Sequence, residues 1–169
     1  NTHIDKVFTW DEFPNYGGTY EGALQANLEE HQIRTPQDVR VRAEKALRIA
    51  LKNGLRSVRT HVDSFGLTGS QSWEALIDLK REWKSLIELQ TVALVPLDYW
   101  TSDRGTYLAE RVSSSGGLFG GVIVPSLDNR KSYRGLLELL KLANYYDCGV
   151  DLHIDESDKD PAKGVNQLL

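Results

Sequence analysis

Three short stretches hold the residues best suited to chemistry: NTHID at 1–5, RTHVDS at 59–64 and DLHIDES at 151–157. In the last, an apolar strand runs into His153, Asp155 and Glu156. Alternation puts His153 and Asp155 on one strand face, with Glu156 just beyond in the following loop. An imidazole that binds a metal, beside a carboxylate that carries protons, is a pairing used by hydrolytic metal sites. A strand-end salt-bridge cluster is the competing reading. In RTHVDS, His61 and Asp63 share the face opposite Thr60 and Val62, so the carboxylate can orient the imidazole. Hydrogen bonding to loop backbone would account for the same residues. In NTHID, a second histidine two residues before His3 would complete a chelating pair, but Asn1 stands there. Alone, His3 reads more simply as a terminal histidine without special role. Neither Cys148 nor any serine has an evident base partner, so nucleophilic catalysis is not expected.

The elements that position these residues follow a regular rhythm. Strands are expected in LRSVRTHVDS (55–64), IELQTVALVPL (87–97), FGGVIVPS (119–126, stopped by Pro125) and CGVDLHID (148–155). Between them, SWEALIDLKREWKSL (72–86), TYLAERVSS (106–114) and SYRGLLELLKLANYYD (132–147) carry apolar residues at helical spacing. Upstream, RTPQDVRVRAEKALRIALKNG (34–54) reads as a helix with Thr35 as N-cap, Pro36 at its first position, Asp38 in its first turn and Gly54 past its end. TWDEFPNYGGTYEG (9–22) reads as a loop, and NTHIDKVF (1–8) as the tail of a strand. A further helix is expected to start near AKGVNQLL (162–169).

That alternation gives about five βα units and an α/β fold with a parallel sheet. A doubly wound sheet is disfavoured because no Gly-rich phosphate loop follows the first strand. A (β/α)8 TIM-type barrel is favoured because His3 and Asp5, His61 and Asp63, Asp98 and the His153 cluster all fall at strand C-terminal ends, where barrel enzymes keep their active sites. Such a barrel needs eight strands and about 250 residues. The 169 residues are therefore expected to be one partial barrel domain, 1–169, lacking strands six to eight.

Composition excludes several alternatives. The chain is 40% hydrophobic and 26% charged, enough to bury a core. A net charge of -4 argues against a nucleic-acid partner, and no apolar run is long enough for a membrane span. A lone cysteine fits a reducing compartment, and the cytoplasm is expected. No methionine occurs, even at position 1, so the chain is expected to be part of a longer product.

THIDK, RTHVDS, LQTVALVPLD, GGVIVPS and VDLHIDE, in this order and spacing, resemble cytosine-deaminase-like members of the amidohydrolase superfamily, and the resemblance runs through the whole chain. It implies a (β/α)8 barrel with one divalent metal, iron or zinc, that activates water to displace ammonia from a cytosine-like cyclic amine or amide. It further implies that His3 and His153 are metal ligands, with Asn1 at the place of a family histidine. Glu156 then passes protons, while His61, Asp63 and Asp5 support the ligands from behind. Leu97 and Asp98 occupy the substrate-binding place after Pro96, where cytosine-specific members carry glutamine, so the substrate need not be cytosine. A cyclic amide or imide hydrolase, and a truncated non-catalytic barrel, are the alternatives. Taken alone, the 169 residues are expected to be inactive and to self-associate, as a homo-oligomer or otherwise, through exposed sheet edges.

Overall fold

The computed structural model describes residues 2–123, 130–156, 162–166 and 168. Its elements are α1 (Tyr20–Ile33), α2 (Pro36–Lys52), β1 (Ser57–Asp63), α3 (Gly69–Trp83), β2 (Glu88–Leu94), a 3-10 turn (Leu97–Thr101), α4 (Asp103–Ser114), β3 (Leu118–Ile123), α5 (Arg130–Tyr145), β4 (Val150–Ile154) and α6 (Lys163–Asn166). The strands form one sheet in the order β1-β2-β3-β4. The printed ladders are parallel: Val92 and Ala93 face Leu118 and Phe119, and Phe119 to Ile123 face Val150 to Ile154. Neighbours in sheet order are neighbours in sequence, without the order reversal that marks a doubly wound sheet. Four strands are present among the described residues, one fewer than the sequence rhythm suggested. Residues 2–8 are not a strand. Pro125, expected to stop the third of these strands, lies outside the described residues. No described helix is long and apolar enough to cross a membrane.

The chain divides into two compact units, Asn1–Thr91 and Val92–Leu169. In the first, α2 starts as its sequence demands. Thr35 Oγ1 accepts the Asp38 N–H at 3.2 Å, and Asp38 Oδ2 accepts the Thr35 N–H at 3.1 Å. Val39, Ala43 and Leu47, four residues apart, bury one stripe of α2, and α2 packs on α3 with its buried Trp73, Leu76, Leu79 and Trp83. The last four residues of β1 are all buried, and among them are His61 and Asp63.

In the second unit the 3-10 turn is the keystone. Trp100 is buried and its Nε1–H donates to the Gly120 carbonyl at 3.0 Å. Helix α5 crosses this turn at Gly135, where a Cβ would lie 2.2 Å from the Leu97 oxygen and 2.7 Å from the Asp98 nitrogen. Both obstacles are backbone, so neither can swing aside. Gly135→Ala is expected to cost about 1–3 kcal/mol by overpacking. The check is the urea unfolding midpoint, and an unchanged value would refute the contact.

Candidate functional site

In the first unit, residues 2–6 lie along β1. The His61 N–H donates to the Thr2 carbonyl at 2.9 Å, the Ile4 N–H to Thr60 Oγ1 at 3.1 Å, and Thr2 Oγ1 to the Arg59 carbonyl at 2.7 Å. These bonds give the N-terminal segment a strand-like attachment without making it a strand. They also bring His3 beside His61, with ring centroids 5.5 Å apart and planes tilted by 33°. His61 is buried and His3 half-buried.

Two residues after each histidine comes a buried aspartate. Asp5 Oδ2 accepts the Asp63 N–H at 3.0 Å, and Lys6 Nζ meets both Asp63 oxygens at 3.1 and 3.0 Å. Arg34, the C-cap of α1, has a side chain with no exposed surface. Its Nη1 lies 3.2 Å from Asp5 Oδ2 and its Nη2 3.4 Å from Asp63 Oδ2. Its other edge is held by Glu30, whose second oxygen takes Arg42 Nη2 at 2.5 Å. Three carboxylates thus meet three cations in a buried network.

The two aspartates titrate in opposite directions. Burial, then the neighbouring Asp63 charge, pushes Asp5 up to about 6. Burial also works against Asp63, but Lys6 and Arg34 outweigh it and hold that carboxyl below its ordinary range. Asp5 is therefore the member that takes up a proton first. Its Oδ1 is buried without a hydrogen-bond partner among the described residues. For Arg34, burial opposes the charge, while the Glu30 hydrogen bond and the fields of Asp5 and Asp63 raise its pKa.

His31, from the last turn of α1, fixes the loop after β1. Its Nε2 lies 3.0 Å from the Phe65 carbonyl and its ring stacks on Phe65 at 4.6 Å. Burial, then the Arg34 charge, lowers its pKa below the ordinary 6.5. A histidine with a lowered folded pKa leaves the unfolded chain as the better proton binder. Stability from this group is therefore complete above about pH 6.5 and is lost as pH falls through the lower folded value. His31→Gln is expected to flatten the fall of the urea midpoint between pH 6.5 and 5. Parallel slopes for the variant and the parent would count against this.

In the second unit, β4 presents His153, buried, with its Nδ1 2.5 Å from Glu156 Oε1. Glu156 itself is exposed. Asp155, with φ of 57°, accepts the Gly164 N–H at 2.7 Å on Oδ1 and the Val165 N–H at 3.1 Å on Oδ2. It anchors α6 to the end of β4. Leu97 is 3% exposed, with its Cδ2 2.6 Å from where a Gly121 Cβ would stand, while Asp98 beside it is exposed. Asn1 lies outside the described residues.

Imidazoles are thus presented in each unit, His3 beside His61 in the first and the buried His153 in the second. Imidazole nitrogen suits zinc and iron alike, so the donor set fits the expected divalent metal. Sequence reasoning proposed His61 as a supporting residue and did not include it among the ligands. Arg34, Glu30, Lys6 and Arg42 were not anticipated at all. Their sole sequence signal is a surplus of charge on and around a helix with almost no apolar stripe.

Imidazoles and carboxylates thus gather at and beside the ends of strands of a parallel α/β sheet, where barrel enzymes carry their active sites. The relatives of this chain include deaminases and an amidohydrolase. It is 35% identical to a pterin deaminase of Rhizobium rhizogenes over 94% of its own length and 36% of the relative's. It is 27% identical to an N-isopropylammelide isopropyl amidohydrolase of a Pseudomonas species, over 99% of this chain and 43% of that one. Among solved structures, 5-methylcytosine deaminase from Klebsiella pneumoniae, liganded with phosphonocytosine, superposes with a TM-score of 0.83 at 30% identity, covering 99% of this chain and 41% of that chain. The chain thus spans less than half the length of these relatives. No protein-family model matches it.

Proposed function

We propose that this chain is the N-terminal portion of a (β/α)8 barrel hydrolase that removes ammonia from an amino-bearing nitrogen heterocycle. The observation that carries the reading is the pair of neighbouring histidines at β1, His3 and His61, in a chain whose relatives include deaminases. The resemblance at THIDK and VDLHIDE would make His3 and His153 ligands of one divalent metal, zinc or iron, with Asn1 too weak a donor to replace a histidine. Such an ion supplies a water of lowered pKa and a polarising charge at the reacting carbon.

The chain's own residues supply the rest. Glu156 is an exposed carboxylate beside a buried imidazole, free on its solvent side to take a proton and deliver it to the ring nitrogen or the leaving amine. In its present place it accepts from His153 Nδ1–H, which fixes that ring so that Nε2 faces away from Glu156. Asp98 is exposed and able to reach a bound molecule, whereas Leu97 is buried in the core of its unit. Asp98 can bond the amino group of a substrate and cannot mimic a glutamine amide, which favours an amine-rich heterocycle other than cytosine itself.

The test is product analysis in the intact protein loaded with zinc or iron, against aminopyrimidines, aminopterins and aminotriazines. Ammonia release with the ring preserved is the expected result. Ring opening instead would establish the cyclic amide hydrolase, and no turnover in a metal-loaded, folded protein would establish a non-catalytic barrel. The barrel calls for further strands, and the substrate is a small molecule with no role for nucleic acid or membrane.

A further inference from the structure

His3-Ile4-Asp5 and His61-Val62-Asp63 share one pattern, a histidine followed two residues later by a buried aspartate. One guanidinium touches both aspartates: Arg34 Nη1 reaches Asp5 Oδ2 at 3.2 Å and Nη2 reaches Asp63 Oδ2 at 3.4 Å. The Asp63 N–H closes the figure on the same Asp5 oxygen at 3.0 Å. Arg34 is itself fixed from behind by Glu30, which Arg42 holds in turn. We infer that Arg34 is a positioning residue for the histidine pair: by clamping Asp5 to Asp63 it sets the separation and tilt of the His3 and His61 rings. Its geometry stands by itself, and its consequence for metal affinity rests on the reading proposed above.

Arginine suits this task and lysine does not. The guanidinium presents donors at fixed angles in one plane, so that two carboxylates bound to it are fixed relative to each other. An ammonium offers a rotating point charge, and Lys6 already supplies one to Asp63 alone. Without the clamp, two buried carboxylates lying against each other would repel, and the segment bearing His3 would lose its charged tie between Asp5 and Arg34. His153-Ile154-Asp155 repeats the spacing with a half-buried aspartate, held by backbone donors of Gly164 and Val165 in place of the guanidinium. In each of the three steps the histidine is offered by a backbone whose next aspartate is tied down.

The experiment compares the full chain with Arg34→Lys, Asp5→Asn and Val39→Ala. Val39 is a core residue of α2 outside the network, and its truncation lowers stability without touching either aspartate. Two quantities are read at a temperature where circular dichroism shows every variant folded. One is the nuclear Overhauser contact between the His3 and His61 rings without metal. The other is zinc affinity by competition with a chromophoric chelator. Arg34→Lys and Asp5→Asn are expected to weaken the ring contact and lower zinc affinity by about 10- to 100-fold, while Val39→Ala retains both. Should Arg34→Lys not fold, Asp5→Asn breaks one arm of the clamp and carries the test. An unchanged ring contact in a folded clamp variant, or an equal loss in Val39→Ala, overturns the inference. If the parent chain binds no zinc, the metal reading fails, and the ring contact alone decides the positioning role.

Discussion

Glu156→Gln is expected to lower the turnover of the intact protein in the proposed deamination by about 10²- to 10⁴-fold, the usual contribution of a positioned acid–base group. The change is nearly isosteric. Glutamine still presents an oxygen to His153 Nδ1, so the hydrogen bond that orients the imidazole survives in neutral form. The side chain is exposed, 44% of its surface being open, and no buried charge is left behind. Stability should therefore change by less than about 1 kcal/mol, as for surface substitutions generally. What glutamine lacks is the capacity to take up and return a proton. The expected result is a fall in kcat at nearly unchanged KM, with zinc content and the unfolding midpoint retained. A variant that keeps its kcat would remove Glu156 from the proton path. A variant that loses zinc in proportion to activity would make Glu156 a support for His153 instead.

The division between what the sequence tells and what it withholds follows physical lines. Helix α2 was legible to the residue at its start, because Thr35, Pro36 and Asp38 act locally: a cap is satisfied by bonds within four residues. Strands β1 to β4 were legible as β-branched and apolar runs, with boundaries shifted by one to three residues. Helix α1 was missed. It is capped by Thr19, but its buried residues are Glu30 and His31, so it has no apolar stripe to announce it. It is held by charge instead, through partners 29 residues away in sequence at Asp5 and Asp63. Such pairings leave no periodic trace. The same reason explains the site. His3, His61, His153 and Glu156 were named from their strand ends, whereas the residues that hold two of them depend on contacts no local pattern encodes. The 3-10 turn was likewise not read, only its first residue falling at the end of an expected strand, and that residue, Leu97, offered as a substrate contact, is buried against Gly121.

Arg34→Met tests the energetic side of that buried network and should be the most damaging single change to the fold. Methionine fills most of the volume and removes the charge, leaving Asp5, Asp63 and part of Glu30 without their shared partner. Breaking a buried ion pair from one side costs about 3–5 kcal/mol, because the remaining charge stays desolvated. Two features place the cost at the lower end, about 3 kcal/mol. Lys6 stays on Asp63, and Arg42 stays on Glu30. Asp5 has the third way out. With its pKa already raised to about 6, losing the guanidinium raises it further, and the folded variant keeps a proton there. A carboxyl with a raised folded pKa contributes stability that is complete below the unfolded value near 3.8 and is lost as pH climbs through the folded value. The deficit of Arg34→Met should therefore be larger at pH 7 than at pH 5. Adding Asp5→Asn removes the charge that lacks a partner, so the double variant should lose less than the sum of the singles, by about 0.5–3 kcal/mol. Urea unfolding of the parent, both singles and the double at the two pH values measures all of this. A deficit under about 1 kcal/mol, or strict additivity at pH 7, would mean that Arg34 and Asp5 do not share one buried charge balance.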